Sequence, residues 1–297
     1  MGGLGTEDKH PSAHGLQAVP ADVALSRMLD AQQGAVAAIR PAVPALARAA
    51  EIAAGVLKGR HRLGYAGAGS SGLMALSDRL ELAGTFGIAP ERTPMLFAGG
   101  TDALSHMVGG VEDDLALAGR DLAASGLGAG DAVICLSASG RTPYTVEVAR
   151  QAKARGVTVI AIANVAGSPL LADADVAILI ETGAEVVAGS TRLGAATAQK
   201  VALNMLSVQL GIHLGHVHEG YMVNLVADNA KLVDRAARIV AAVSGVAPQE
   251  ARAALGQTAG AVKPAILIAA GADPAQAAGL LDRHGGHLGP ALREIGR

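Results

Sequence analysis

Two short segments carry hydroxyl groups where glycine lets the backbone turn sharply. Residues 67–72 read GAGSSG, with Gly67, Gly69 and Gly72 in the G-x-G-x-x-G spacing and Ser70 and Ser71 between the last two. Residues 137–142 read SASGRT and bring Ser137, Ser139 and Thr142. Each closes an apolar run, HRLGYAG (61–67) and DAVICLSASG (131–140), and each precedes a helical pattern. A helix beginning at such a turn presents free N–H groups and a partial positive charge, so two of these turns side by side suit a phosphate monoester. Either turn alone reads equally well as a serine helix cap with structural glycines. A dinucleotide site needs, in addition, an acidic residue about 20 positions on, at the end of the second strand. In ERTPMLFAGG (91–100) that place is taken by Gly99-Gly100. The paired turns therefore predict a terminal phosphate and no cofactor.

Carboxylates come next. Glu112 opens the cluster EDD (112–114), where like charges raise one member's proton affinity, although an acidic helix start has the same composition. Glu81, in SDRLELAG (77–84), sits in an alternation that a solvated helix face also produces. GAEVVAGSTRL (183–193) holds Glu185, Ser190, Thr191 and Arg192, in which Ser190 and Thr191 serve equally as a helix cap or as contacts to ligand hydroxyls. His213, His216 and His218 of HLGHVH have only Glu219 nearby to complete a ligand set, so no metal is expected. The single cysteine, Cys135, lies in an apolar strand and reads as packing.

Positioning these groups calls for an α/β scaffold. GVTVIAIAN (156–164) and ADVAILIE (174–181) are two more short, nearly all-apolar runs. Separated by helices, such runs predict parallel strands covered on both faces. Helices are expected at about 22–40 and 42–58, punctuated by Pro41 and Pro44, after a polar arm over residues 1–20. A long core helix is expected from Thr191 to about Leu214, then three short helices from about Asp228, with turns at SGVAP (244–248) and GADP (271–274). This divides the chain into an arm with helices (1–60), a phosphate-binding domain (61–230) and a helical module (231–297).

The 297 residues are 51% hydrophobic and 17% charged, with net charge −2, the profile of a soluble globule. Near-neutrality and 2% aromatic residues argue against a nucleic-acid partner. No run of about 18 apolar residues predicts a membrane span. MGGLGTEDKHPSAHG lacks the cationic-then-apolar order of a signal peptide, so a cytoplasmic protein is expected.

One set of segments spans nearly the whole chain: TE (6–7), GAGSSG (67–72), TFG (85–87), VEDD (111–114), SASGRTPY (137–144), NxxGSPL (164–170), GAEVVAGSTRL (183–193) and TAQKVALNMLS (197–207). In these the sequence resembles the sugar isomerase (SIS) domain superfamily, and within it the N-acetylmuramic acid 6-phosphate etherases and the related glucokinase regulatory proteins. The resemblance implies a three-layer, flavodoxin-like parallel-sheet sandwich with an N-terminal helical arm and a small C-terminal bundle resembling a ubiquitin-associated module. It also implies a lyase that removes D-lactate from N-acetylmuramic acid 6-phosphate, with Glu81 as acid on the lactyl side and Glu112 as base. Ser70, Ser71, Ser137, Ser139 and Thr142 would hold the phosphate, and Glu185, Ser190 and Thr191 would line the substrate. Ten helical residues from Ser71 to Glu81 span about 15 Å. Unless the helix is short or bent, that favours a homodimer in which Glu81 serves the partner's site. The sequence departs from the family at Leu73 and Gly194, where the family usually has Arg and Lys, and at Leu82-Ala83-Gly84, commonly CPP. Alternatives are a non-catalytic sugar-phosphate sensor and an aldose–ketose isomerase.

Overall fold

The computed structural model describes residues 5–227 and 229–297. Residues 1–4 of the expected arm, and Asp228, where the helical tail was expected to begin, lie outside them. The chain divides into two compact units, Met1–Arg79 with Glu91–Leu206 and Leu80–Pro90 with Ser207–Arg297.

The first unit follows the order α1 (Ala21–Ala37), α2 (Val43–Lys58), β1 (Leu63–Gly67), α3 (Gly69–Phe86), β2 (Met95–Phe97), α4 (Asp102–Ser105), α5 (Leu115–Ser125), β3 (Ala132–Ser137), α6 (Pro143–Ala154), β4 (Thr158–Ala163), α7 (Pro169–Ala172), β5 (Val176–Leu179) and α8 (Gly194–His213). The unit boundary falls inside α3 and inside α8. Pro41 lies in a 3-10 turn, Arg40–Ala42, that ends the first helical stretch, and Pro44 occupies the first turn of α2, where its missing N–H has no partner to lose.

All five strands are parallel, in the order β2-β1-β3-β4-β5. Every residue of β1 and β3 is buried, as expected for strands covered on both faces. On one face Ala66, Val133, Cys135 and Ala161 meet Leu122 of α5 and Tyr144 and Val148 of α6. α2 packs on the sheet through Ala49, Ala50, Ala53 and Ala54, small side chains that bring helix and strands close. The result is the three-layer sandwich expected. The N-terminal helices, expected as a region of their own, belong to the same unit as the sheet.

The second unit contains the hairpin β6 (Val217–His218) and β7 (Tyr221–Met222), followed by α9 (Ala230–Ser244), α10 (Pro248–Gln257), α11 (Val262–Ala269), α12 (Pro274–Arg283) and α13 (Leu288–Glu294). Five helices stand where three were expected. The additional breaks fall at Ala259-Gly260 and Gly285-Gly286, all four in left-handed conformation. The expected turns hold as well: Gly245 ends α9 at φ 75°, and Asp273 Oδ1 accepts the Ala275 N–H at 2.8 Å to start α12. Val240, Ala251, Ile266, Leu267 and Ala291 form the centre of this unit. No single helix among the described residues is long and apolar enough to cross a membrane.

Candidate active site

The two hydroxyl-bearing turns begin at the same level on neighbouring strands. Gly67 of β1 is paired with Leu136 of β3, so Ala68 and Ser137 follow side by side at the carboxyl ends. From there the chain leads to β2 on one flank and to β4 on the other. A crevice at this reversal of strand order is where open α/β sheets bind ligands.

Packing explains the glycine spacing of the first turn without a nucleotide. A Cβ at Gly67 would lie 3.0 Å from Gly72 N, and one at Gly72 would lie 2.7 Å from Phe97 Cε2. Only bare backbone lets the first turn of α3 approach β1 so closely. Gly69 has φ +52°, and a Cβ there would lie 2.7 Å from Glu112 Oε1. The Glu112 carboxyl thus rests against the turn that carries Ser70 and Ser71. Ser71 is buried and Ser70 half-buried.

Hydroxyls organise the second turn. Ser137 Oγ lies 2.8 Å from Thr142 Oγ1 and accepts the Gly140 N–H at 3.0 Å, while Ser139 Oγ accepts the Arg141 N–H at 3.1 Å. Thr142 stands at the N-cap position of α6, yet its hydroxyl turns to Ser137 rather than to the helix. Ser137 is buried, whereas Ser139 and Thr142 keep partial exposure.

The acidic cluster divides by role. Asp114 caps α5, its Oδ1 accepting the Leu117 N–H at 2.8 Å. Asp113 is exposed, and Glu112 is half-buried in the 3-10 turn Gly109–Asp113. Burial, and after it the Asp113 charge, holds the Glu112 carboxyl above its ordinary range. A carboxyl of raised proton affinity beside a hydroxyl-bearing turn is equipped to exchange a proton with a ligand bound there.

Glu81 is exposed on α3, in the second unit. That helix is a full 18 residues, so it is not the short helix considered from the sequence. Glu185 is 4% exposed, and its two oxygens accept the Gly194 and Ala195 N–H groups at 2.8 Å each, capping α8. Ser190 and Thr191 lie in successive tight turns on the approach to α8, with Ser190 N bonded to Val187 O and Thr191 N to Gly189 O. Arg141 and Arg192 are exposed, and Lys200 Nζ donates to Asn204 Oδ1 within α8. His213 Nε2 lies 3.2 Å from Gln209 Nε2. Among the described residues no group of three or more His, Cys, Asp or Glu is placed to hold a metal. Burial pushes the Cys135 thiol up to about 12, well away from reactive thiolate.

One pair escaped the sequence reading. Gln199 Nε2 donates to Asn164 Oδ1 at 2.9 Å, and Asn164 Nδ2 donates to Ile180 O at 3.0 Å, tying α8 to the ends of β4 and β5. Both residues lie in the segments NxxGSPL and TAQKVALNMLS; their burial was the missing signal.

The strand order and the paired turns at its reversal define an SIS-domain protein, and the SIS domain family model matches residues 32–164. The fold is shared with a Bacteroides fragilis protein named as a phosphosugar isomerase involved in capsule formation (TM-score 0.52, 24% identity, 68% of this chain and 95% of that one). N-acetylmuramic acid 6-phosphate etherase of Deinococcus radiodurans is 42% identical over 290 residues, covering 97% of this chain and 95% of the relative. The enzyme of that name from Serratia proteamaculans is 43% identical over 293 residues, covering 98% and 99%. The chain belongs to the N-acetylmuramic acid 6-phosphate etherase family.

Proposed function

We propose that the protein is a carbon–oxygen lyase that converts N-acetylmuramic acid 6-phosphate and water to N-acetylglucosamine 6-phosphate and D-lactate. The observation that carries this reading is the Glu112 carboxyl resting against the Gly69 turn with its proton affinity raised. Near-full-length identity of 42–43% to etherases supports the substrate.

In the reaction the sugar opens to its aldehyde, which acidifies the proton on C2. Ser70 and Ser71 of the first turn, with Ser139 and Thr142 of the second, hold the phosphate, and Ser137 shapes the second turn around it. Glu112 takes the C2 proton. The electrons left on C2 form the C2–C3 double bond as the C3–O bond breaks, and Glu81 supplies the proton to the departing lactyl oxygen. Water then adds its hydroxyl to C3 and a proton returns to C2. Division of labour between two carboxyls fits one held above its ordinary range. Ser190 and Thr191 line the sugar, and Glu185 serves it through the loop it holds to α8.

In this reading the protein is a cytoplasmic homodimer, Glu81 reaching the partner's site, and it acts in amino-sugar catabolism during peptidoglycan recycling. The test is to incubate the protein with N-acetylmuramic acid 6-phosphate and assay D-lactate. Release of D-lactate with N-acetylglucosamine 6-phosphate is expected. Tight sugar-phosphate binding without lactate would make it a sensor, and C2 proton exchange with ketose formation would make it an isomerase.

A further inference from the structure

The loop between β5 and α8 (180–193) carries Ser190 and Thr191 and has little structure of its own. Glu185 anchors its middle to α8. Near Ser190 the anchor comes from the N-terminal segment, where Gly189 N donates to Thr6 O at 3.0 Å. Thr6 is polar yet only 1% exposed, in the 3-10 turn Gly5–Glu7. Gly189 is left-handed at φ +73°, and a Cβ there would lie 2.7 Å from Glu7 Oε2. The same turn touches a second loop, since a Cβ at Gly5 would lie 3.4 Å from Val165 Cγ2. Three residues on, Ser168 packs so tightly on Gly140 of the second phosphate turn that a side chain at 140 would collide with it.

We propose that the turn Gly5–Glu7 is a positioning element of the ligand site: it clamps Gly189 and thereby sets where Ser190 and Thr191 stand against the sugar. This rests on the sugar-phosphate reading above. Thr6 and Glu7 act through the loop, not on the substrate. Because Ser190 N and Thr191 N are bonded back to Val187 O and Gly189 O, the loop moves as one turn, and fixing Gly189 fixes its neighbours. A loop held by so few bonds opens locally at low cost when one is removed.

Thr6→Arg tests the clamp by forcing a long charged side chain into a buried place. Hydrogen exchange of amides 187–193 should accelerate about tenfold or more while the amides of β3 and β4 stay protected. The Kd for N-acetylglucosamine 6-phosphate should rise about tenfold, with kcat for lactate release changed less than about threefold. Gly189→Ala should weaken binding similarly, and adding Glu7→Ala should recover part of the loss, because the carboxylate facing the new methyl is gone. A merely structural role would lower thermal stability without that recovery. Unchanged exchange and a Kd within about twofold of wild type in Thr6→Arg would overturn the proposal. So would a Gly189→Ala defect that Glu7→Ala leaves untouched. If hydrogen exchange and Kd in Thr6→Arg shift as expected but the wild type releases no D-lactate, the etherase reading fails and the clamp stands. A wild type that binds no sugar phosphate refutes both.

Discussion

Glu112→Gln separates a half-buried proton-transfer residue from a solvated surface acid, because only the former couples a large loss of activity to unchanged or slightly raised stability. Glutamine keeps the shape that rests against Gly69, where the carboxyl oxygen stands 2.7 Å from the position of a Cβ, but it cannot take a proton. Loss of a general base costs about 10²–10⁴ in rate, so D-lactate release should fall by that factor with little change in KM. The folded-state pKa of Glu112 is raised from its ordinary value of 4.5. As pH climbs past 4.5 the unfolded chain releases this proton first, and the folded state loses stability until its own carboxyl ionises. The penalty is absent below 4.5, where both states are protonated, and complete above the folded value. Glu112→Gln removes it. Each unit of elevation corresponds to about 1.4 kcal/mol, and solvent screening of a half-buried group keeps the gain below about 1 kcal/mol. Urea unfolding at neutral pH should therefore show the variant equal to or slightly more stable than wild type, with the difference gone in acid. A variant that loses stability at neutral pH, or that still releases lactate at near wild-type rate, refutes the argument.

Four further outcomes follow from the same geometry. Ser137→Ala removes the hydroxyl that meets Thr142 Oγ1 and the Gly140 N–H, and steady-state kinetics should show KM for the sugar phosphate rising, with a loss of about 1–3 kcal/mol in kcat/KM. Gly69→Ala combines a left-handed φ with a collision at Glu112, and thermal unfolding should report a loss of about 1–3 kcal/mol together with a displaced pH–rate profile. Glu185→Ala leaves two buried N–H groups of α8 without their acceptor, and should cost about 1–3 kcal/mol in denaturant unfolding. Mixing Glu81→Gln chains with Ser139→Ala chains should restore lactate release through one intact site per mixed dimer; no recovery would show that each subunit completes its own site.

What the sequence discloses and what it hides divide along contact distance. β1, β3, β4 and β5 are legible because strands covered on both faces must be nearly all apolar, and the Ser/Gly turns because local dihedral needs select those residues. The five-helix tail exceeds the expected three at Ala259-Gly260, where an alanine at positive φ leaves no compositional trace, and at Gly285-Gly286, where the glycine pair is a turn signal in plain view. The candidate site follows the same rule. GAGSSG and SASGRT announce hydroxyl and N–H donors, but EDD does not say which acid faces them. That is settled by a contact between residues 69 and 112, with Asp114 drawn off to cap α5. Thr6 on Gly189 is the extreme case, a buried threonine whose partner is 183 positions away along the chain. Glycines at which a side chain would strike a distant carboxylate, Gly69 with Glu112 and Gly189 with Glu7, are therefore where this fold records its long-range contacts most directly. The constraint lies on the backbone, while the group it makes room for lies on another element.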